Sequence, residues 1–105
     1  MFLDTFIEAI HEKKIVKITF IAKNDSYPRV RKCVPFDYST SKIDKDKILK
    51  FQMYDLDSPN GQHNLSLHPD QIIEIEKLNE TFEPADYVKW EPDWNIKRNS
   101  WGIYS

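Results

Sequence analysis

The chain holds one cysteine, two glycines and no window near the roughly 20 apolar residues that span a bilayer. With Cys33 alone no intrachain disulfide forms, so a reducing compartment is the simplest expected home. Gly61 and Gly102 are too few and too far apart for a Gly-rich phosphate loop. The first residues set Phe2, Leu3, Phe6 and Ile7 among Asp4 and Glu8, without the basic start and unbroken apolar run of a signal peptide. A soluble, cytoplasmic protein with no membrane contact is therefore expected, in which the glycosylation pattern Asn79-Glu80-Thr81 has no use. Serines lack a local nucleophile signature, and the scattered Asp and Glu select no acid and base. His63, His68 and Asp70 show no ligand spacing, so they read as structural, and neither a metal nor a cofactor is expected. Nothing nominates an enzyme.

What is present suffices for one core. Of 105 residues, 40% are hydrophobic and 13% aromatic, which suits a single domain over 1–105. Charge is uneven: residues 12–50 carry eleven Lys or Arg against five Asp or Glu, and residues 51–105 carry four against ten. Two readings follow, a basic face for phosphates or another acidic partner, and two halves that complement each other in the fold. The second is favoured, because nucleic-acid binders usually show an overall basic excess.

Phe2, Leu3, Phe6, Ile7 and Ile10 recur at spacings of three and four, which predicts an amphipathic helix within 1–14. Thr5 with Glu8 offers a capping box, while Lys13 and Lys14 suit the helix end. From Ile15 to Ala22 the period becomes two, with Val16, Ile18, Phe20 and Ala22 on one face. Residues 23–28 read as a turn. Val30, Val34, Phe36 and Tyr38 then share one parity and Arg29, Arg31 and Cys33 the other, with Pro35 suited to a bulge or an edge. Cys33, flanked by apolar residues between Arg31 and Phe36, reads as a packed small hydrophobe rather than a nucleophile.

Ser39 to Lys47 reads as a solvated loop. Leu49, Phe51 and Met53 predict a third strand, the Asn60-Gly61 pair a tight reversal, and His63, Leu65 and Leu67 a fourth strand. Ile72 to Leu78 supplies the fifth, with Ile73 and Ile75 on one face. The expected class is mainly β (α+β): an N-terminal helix, a five-stranded antiparallel unit over 15–78 curled into a small barrel, and a tail over 79–105. That tail holds Trp90, Trp94 and Trp101 with Phe82, Tyr87 and Tyr104, and Pro84 and Pro92 bar a long helix.

The order helix, three strands, Asn-Gly hairpin, two strands resembles the WYL domain, a bacterial SH3-like, Sm-like barrel. Ala9-Ile10 with Val16-Lys17-Ile18-Thr19-Phe20 is similar to the family's opening helix and first strand. Arg31-Lys32-Cys33-Val34-Pro35-Phe36 is similar to its second-strand pattern, Tyr54-Asp55 to the end of its third strand, and Ile72 to Leu78 followed by Glu80, Phe82 and Pro84 to its close. The name-giving Trp-Tyr-Leu is replaced by Leu49-Lys50-Phe51, and an expected arginine by Gln71. The resemblance implies a ligand-sensing domain, often for nucleotides or nucleic acid, of the kind usually found behind a DNA-binding helix-turn-helix. No such N-terminal domain is expected here.

Two candidate sites remain. Arg29, Arg31 and Lys32, with Lys17 and Lys50 on neighbouring strands, are candidates for a phosphate-binding face on which Tyr38 and Tyr54 stack a base. Their alternative role is the polar outer face of half-buried strands. In the tail, Trp94, Lys97, Arg98, Trp101 and Tyr104 are candidates for an interface with a protein partner or a second copy, and the alternative is that the tryptophans seal the barrel core. The functional expectation is a non-catalytic binding or regulatory module of bacterial or phage type, acting through protein contacts or a nucleotide or nucleic-acid ligand. Beside it stands a structural or assembly protein that oligomerises through its tail.

Overall fold

The computed structural model describes residues 2–23, 25–40 and 46–105. Helix α1 (Phe2–Glu12) leads into strands β1 (Lys14–Ile21), β2 (Pro28–Thr40), β3 (Leu49–Asp55), β4 (His63–Leu67) and β5 (Ile72–Thr81). A one-turn helix α2 (Pro84–Tyr87) and an irregular tail ending in a 3-10 turn at Gly102–Tyr104 follow. The strands form one antiparallel sheet in the order β4-β3-β2-β1-β5, so the molecule is mainly β with one N-terminal helix.

The apolar stripe of α1 packs inward through Phe6, Ala9 and Ile10, and Phe6 meets Phe51 at a ring distance of 5.0 Å, whereas Phe2 stays exposed. Because the helix starts at Phe2, Thr5 lies inside it and a Thr5-Glu8 box does not begin it. It also ends before residue 14. Lys13 takes a left-handed φ of 55°, its N–H donates to Ile10 O at 3.3 Å, and Lys14 already belongs to β1. In β1 the alternation holds, with Val16, Ile18 and Phe20 buried between half-buried Lys17 and Thr19.

Two bulges change which residues face inward. On β2 the register runs Val34↔Tyr54 and Pro35↔Met53, then resumes at Asp37↔Gln52, leaving Phe36 as the extra residue. Pro35 has no N–H to give to the ladder and sits at this bulge, as its chemistry favours. Beyond the bulge the parity inverts, so Tyr38 does not share a face with Val34 as simple alternation predicts. It stands opposite Phe51, while Val34 stands opposite Tyr54. On β5 the partners Thr19↔Glu74 and Phe20↔Ile72 leave Ile73 over. Ile72 and Ile75 are buried and Ile73 is 46% exposed, which corrects the expectation that Ile73 and Ile75 share one face.

Strand β2 also takes in Ser39 and Thr40, residues expected to open a loop. Of the rest of that polar stretch, residues 41–45 lie outside the described residues, as does Asn24 of the first turn. The Asn-Gly hairpin joins β3 to β4, with Gly61 at φ 103° and its N–H on Ser58 O at 3.1 Å. A 3-10 turn at Pro69–Gln71 then links the two edge strands, β4 and β5. Gln71 ties that turn to the sheet: its Oε1 accepts the His68 N–H at 2.9 Å and its Nε2 donates to Ile21 O at 3.2 Å. Phe20 of β1 and Leu65 and Leu67 of β4 line one cleft although β2 and β3 separate them in the sheet, so the sheet curls. It does not close: no ladder joins β4 to β5 among the described residues. No helix among those residues is long and apolar enough to cross a membrane.

Candidate functional site

The cations proposed for a phosphate face each have a carboxylate partner. Arg29 bonds Asp25, Arg31 Nε lies 3.4 Å from Asp55, Lys32 Nζ 2.7 Å from Glu80 and Lys17 Nζ 3.4 Å from Glu76. Asp55 is buried, so Arg31 is its counter-charge and not a free donor. The hydrogen bond and charge of Glu80 hold the Lys32 ammonium above its usual pKa. Lys17, Arg31 and Lys32 thus join the basic part of the sequence to the acidic one, as complementary halves require.

Lys50 is not on that surface. It is 3% exposed and lines the cleft of Phe20, Leu65 and Leu67, its Nζ 3.1 Å from both Asp46 oxygens. The long aliphatic stem allows this, since only the ammonium must reach a charge at the rim. Asp46 also accepts the Ile48 N–H, and that bond, followed by the Lys50 contact, pulls its pKa below the ordinary value.

The two tyrosines do not form one platform. Tyr38 packs on Phe51 at 5.0 Å, whereas Tyr54 packs on Phe36 and Tyr87 at 6.5 and 5.4 Å, and the bulge has sent them to opposite faces. The histidines are also apart: His63 Nδ1 is 3.0 Å from Gly61 O, and His68 Nε2 is 3.7 Å from Asp46. Cys33 is fully buried, and burial, with Asp55 and Asp57 adding to it, pushes the thiol well above its usual pKa. It packs as a small hydrophobe, in keeping with its apolar flanks.

The tail is held to its own sheet by Asp37, the residue after the bulged Phe36. One Asp37 oxygen accepts the Ile96 N–H and the other the Asn95 N–H, both at 2.8 Å. Arg98 turns back over this junction, with Nη2 2.7 Å from Ile96 O and 3.7 Å from Asp37. Its guanidinium carbon is 4.3 Å from the Trp94 ring centroid and 4.4 Å from that of Trp101. Burial pushes the Arg98 pKa down to about 10 against the opposing charge of Asp37, so it remains a cation at neutral pH. Trp101 donates its indole N–H to Ile10 O at 2.7 Å, and Ser100 Oγ donates to His11 O at 2.7 Å. Both satisfy carbonyls at the end of α1 that have no partner within the helix.

Trp94, Arg98 and Trp101 are therefore buried within their own chain, whereas Lys97 stays exposed and Tyr104 half-buried. The reason is the Asp37 anchor, which nothing in the local sequence of the tail announces.

One aromatic residue of the tail escapes burial. Trp90 is 42% exposed and meets Phe36 at 5.3 Å and Trp94 at 6.0 Å, with ring planes at 84° and 73°. The corner so formed opens a cleft of about 330 Å³, walled by Gln52 and Met53 of β3, Asn64 of β4 and Glu91 and Asp93 of the tail. A second cleft of about 500 Å³ continues from it along Ser39, Thr40, Asp93 and Trp94 to Leu49, Asn95 and Lys97. Ring surfaces, amides and carboxylates are the chemistry of recognition. Of these residues, Phe36, Gln52, Asn64, Trp90, Glu91 and Asp93 were not among the candidates read from the sequence, and Pro35 was the available signal that something interrupts β2 beside them.

No protein-family model matches the chain, and no curated protein and no solved structure matches it.

Proposed function

We propose that this domain is a non-catalytic binding or regulatory module of WYL-like type on an SH3-like barrel, cytoplasmic and of bacterial or phage kind, whose ligand is a segment of a protein partner. The barrel reading rests on a five-stranded antiparallel sheet that curls until its two edge strands are joined by one 3-10 turn. The resemblance to the WYL domain spans those same elements. The residues it would use for a nucleotide are engaged otherwise: Lys50 with Asp46, Arg31 with Asp55, and Gln71 with the backbone of its own turn and β1.

The observation that carries the protein-ligand reading is Trp90, a large ring left half-exposed in a groove whose other aromatic walls are buried. Half-exposed aromatic anchors in clefts with polar rims are where protein contacts concentrate their energy. Panning a random peptide library against the full chain tests this. Selected peptides are expected to lose about tenfold in affinity for Trp90→Ala, while single-stranded DNA and RNA bind neither form at low salt. Oligonucleotide binding abolished by Arg31→Ala with Lys32→Ala, and peptides indifferent to Trp90→Ala, are the results that would overturn it.

A further inference from the structure

The Trp90 corner has a defined charge as well as a shape. The cleft is lined by Asp37, Glu91 and Asp93 and by no Lys or Arg. Asp37 is satisfied by the Asn95 and Ile96 amides and by Arg98. Glu91 and Asp93 are exposed, and among the described residues neither makes an ion pair. Lys97, the cation among the lining residues of the two clefts, sits in the neighbouring one.

An aromatic ring presents a negative face, and a cation over it gains most where nearby carboxylates add to the field and part of its water is removed. Two rings meeting near a right angle let one cation approach both. The chain already uses this chemistry a few residues away, where Arg98 lies over Trp94 and Trp101. A phosphate would instead face Glu91 and Asp93 across the same opening, and like charges repel.

We infer that the groove takes a basic side chain, Arg or Lys, from an extended peptide segment of the partner, seated against Trp90 with Glu91 and Asp93 as its counter-charges. This rests on the reading of the groove as a peptide site. The Gln52 and Asn64 amides and Ser39 and Thr40 along the floor supply neutral donors and acceptors for the peptide on either side.

Three matched pentapeptides test it on the full chain: acetyl-Gly-Gly-X-Gly-Gly-amide with X as arginine, lysine or citrulline, the neutral isostere of arginine. Binding is followed by the NMR shift of the Trp90 indole N–H. The Arg and Lys peptides are expected to shift that resonance saturably, and the citrulline peptide about tenfold more weakly. Raising salt, or replacing Glu91→Gln together with Asp93→Asn, should remove most of that difference, because exposed charge pairs are screened. Both carboxylates are exposed, so the double variant retains the fold, which an unchanged spectrum of the buried residues confirms. Equal binding of the Arg and citrulline peptides contradicts the cation assignment while leaving a peptide groove in place. A Trp90 resonance unmoved by all three, with library peptides also indifferent to Trp90→Ala, rejects the groove itself.

Discussion

Trp101→Ala is expected to cost about 3–5 kcal/mol of folding stability, the range for removing a buried large aromatic side chain. Against the roughly 5–15 kcal/mol that holds a domain of this size, that is a third or more of the stability at most starting values, and nearly all of it at the lower end. The side chain is 3% exposed, packs on Phe82 at 5.4 Å and Trp94 at 5.5 Å, and closes the end of α1 through its bond to Ile10 O. Its loss opens a cavity, leaves Ile10 O with only the longer bond from the Lys13 N–H and takes away one of the two rings beneath Arg98. Trp90→Ala, removing an indole of the same size from the same tail, should cost only about 1 kcal/mol, because 42% of that residue is already in water. Urea denaturation of both variants measures the contrast. Equal, small losses would mean that the tail is not part of the core. Deletion of residues 95–105 should likewise abolish cooperative folding rather than release a folded monomer from a dimer.

The second large effect belongs to Asp37. Asp37→Asn keeps the size but turns an acceptor oxygen into a donor facing the Asn95 or Ile96 N–H, and it leaves Arg98 without its counter-charge. Breaking a buried pair from one side costs about 3–5 kcal/mol, since the remaining charge stays desolvated. Arg98→Met removes that charge and keeps an unbranched side chain between the indoles, so the double variant should be more stable than the sum of the two singles predicts. A coupling of about 1–3 kcal/mol in a double-mutant cycle is expected. Additive losses would show that Asp37 and Arg98 act separately, with Asp37 serving only the two backbone amides.

These two residues also mark where sequence reading stops. The strands were legible because their alternation is strong: Val16, Ile18 and Phe20 are buried as the period demands, and His63–Leu67 is a strand from end to end. Positions at or beyond a bulge were not, because one extra residue breaks the alternation where it stands, as at Ile73, and inverts every later side chain, as at Tyr38. Burial of a charge was harder still. Arg98 stands among Lys97, Asn99 and Ser100, the composition of a solvated turn, and its place inside follows from an aspartate about sixty residues earlier in the chain. Lys50 is the same case, its burial decided by the curl that brings Phe20 and Leu67 around it. The groove was hidden for a related reason: Phe36 and Asn64 belong to separate strands, and only the docked tail sets Trp90 beside them.

Exchange of the three indole N–H protons with solvent, followed by NMR, separates a tail packed as core from one that lies in solvent. If the tail is core and Trp90 alone of the three tryptophans stands in solvent, the Trp101 and Trp94 protons, bonded to Ile10 O and Tyr104 O at 2.7 Å each, exchange only as slowly as the domain unfolds, while that of Trp90 exchanges quickly. Rapid exchange at all three would contradict it, placing the tail off the sheet and its tryptophans in solvent.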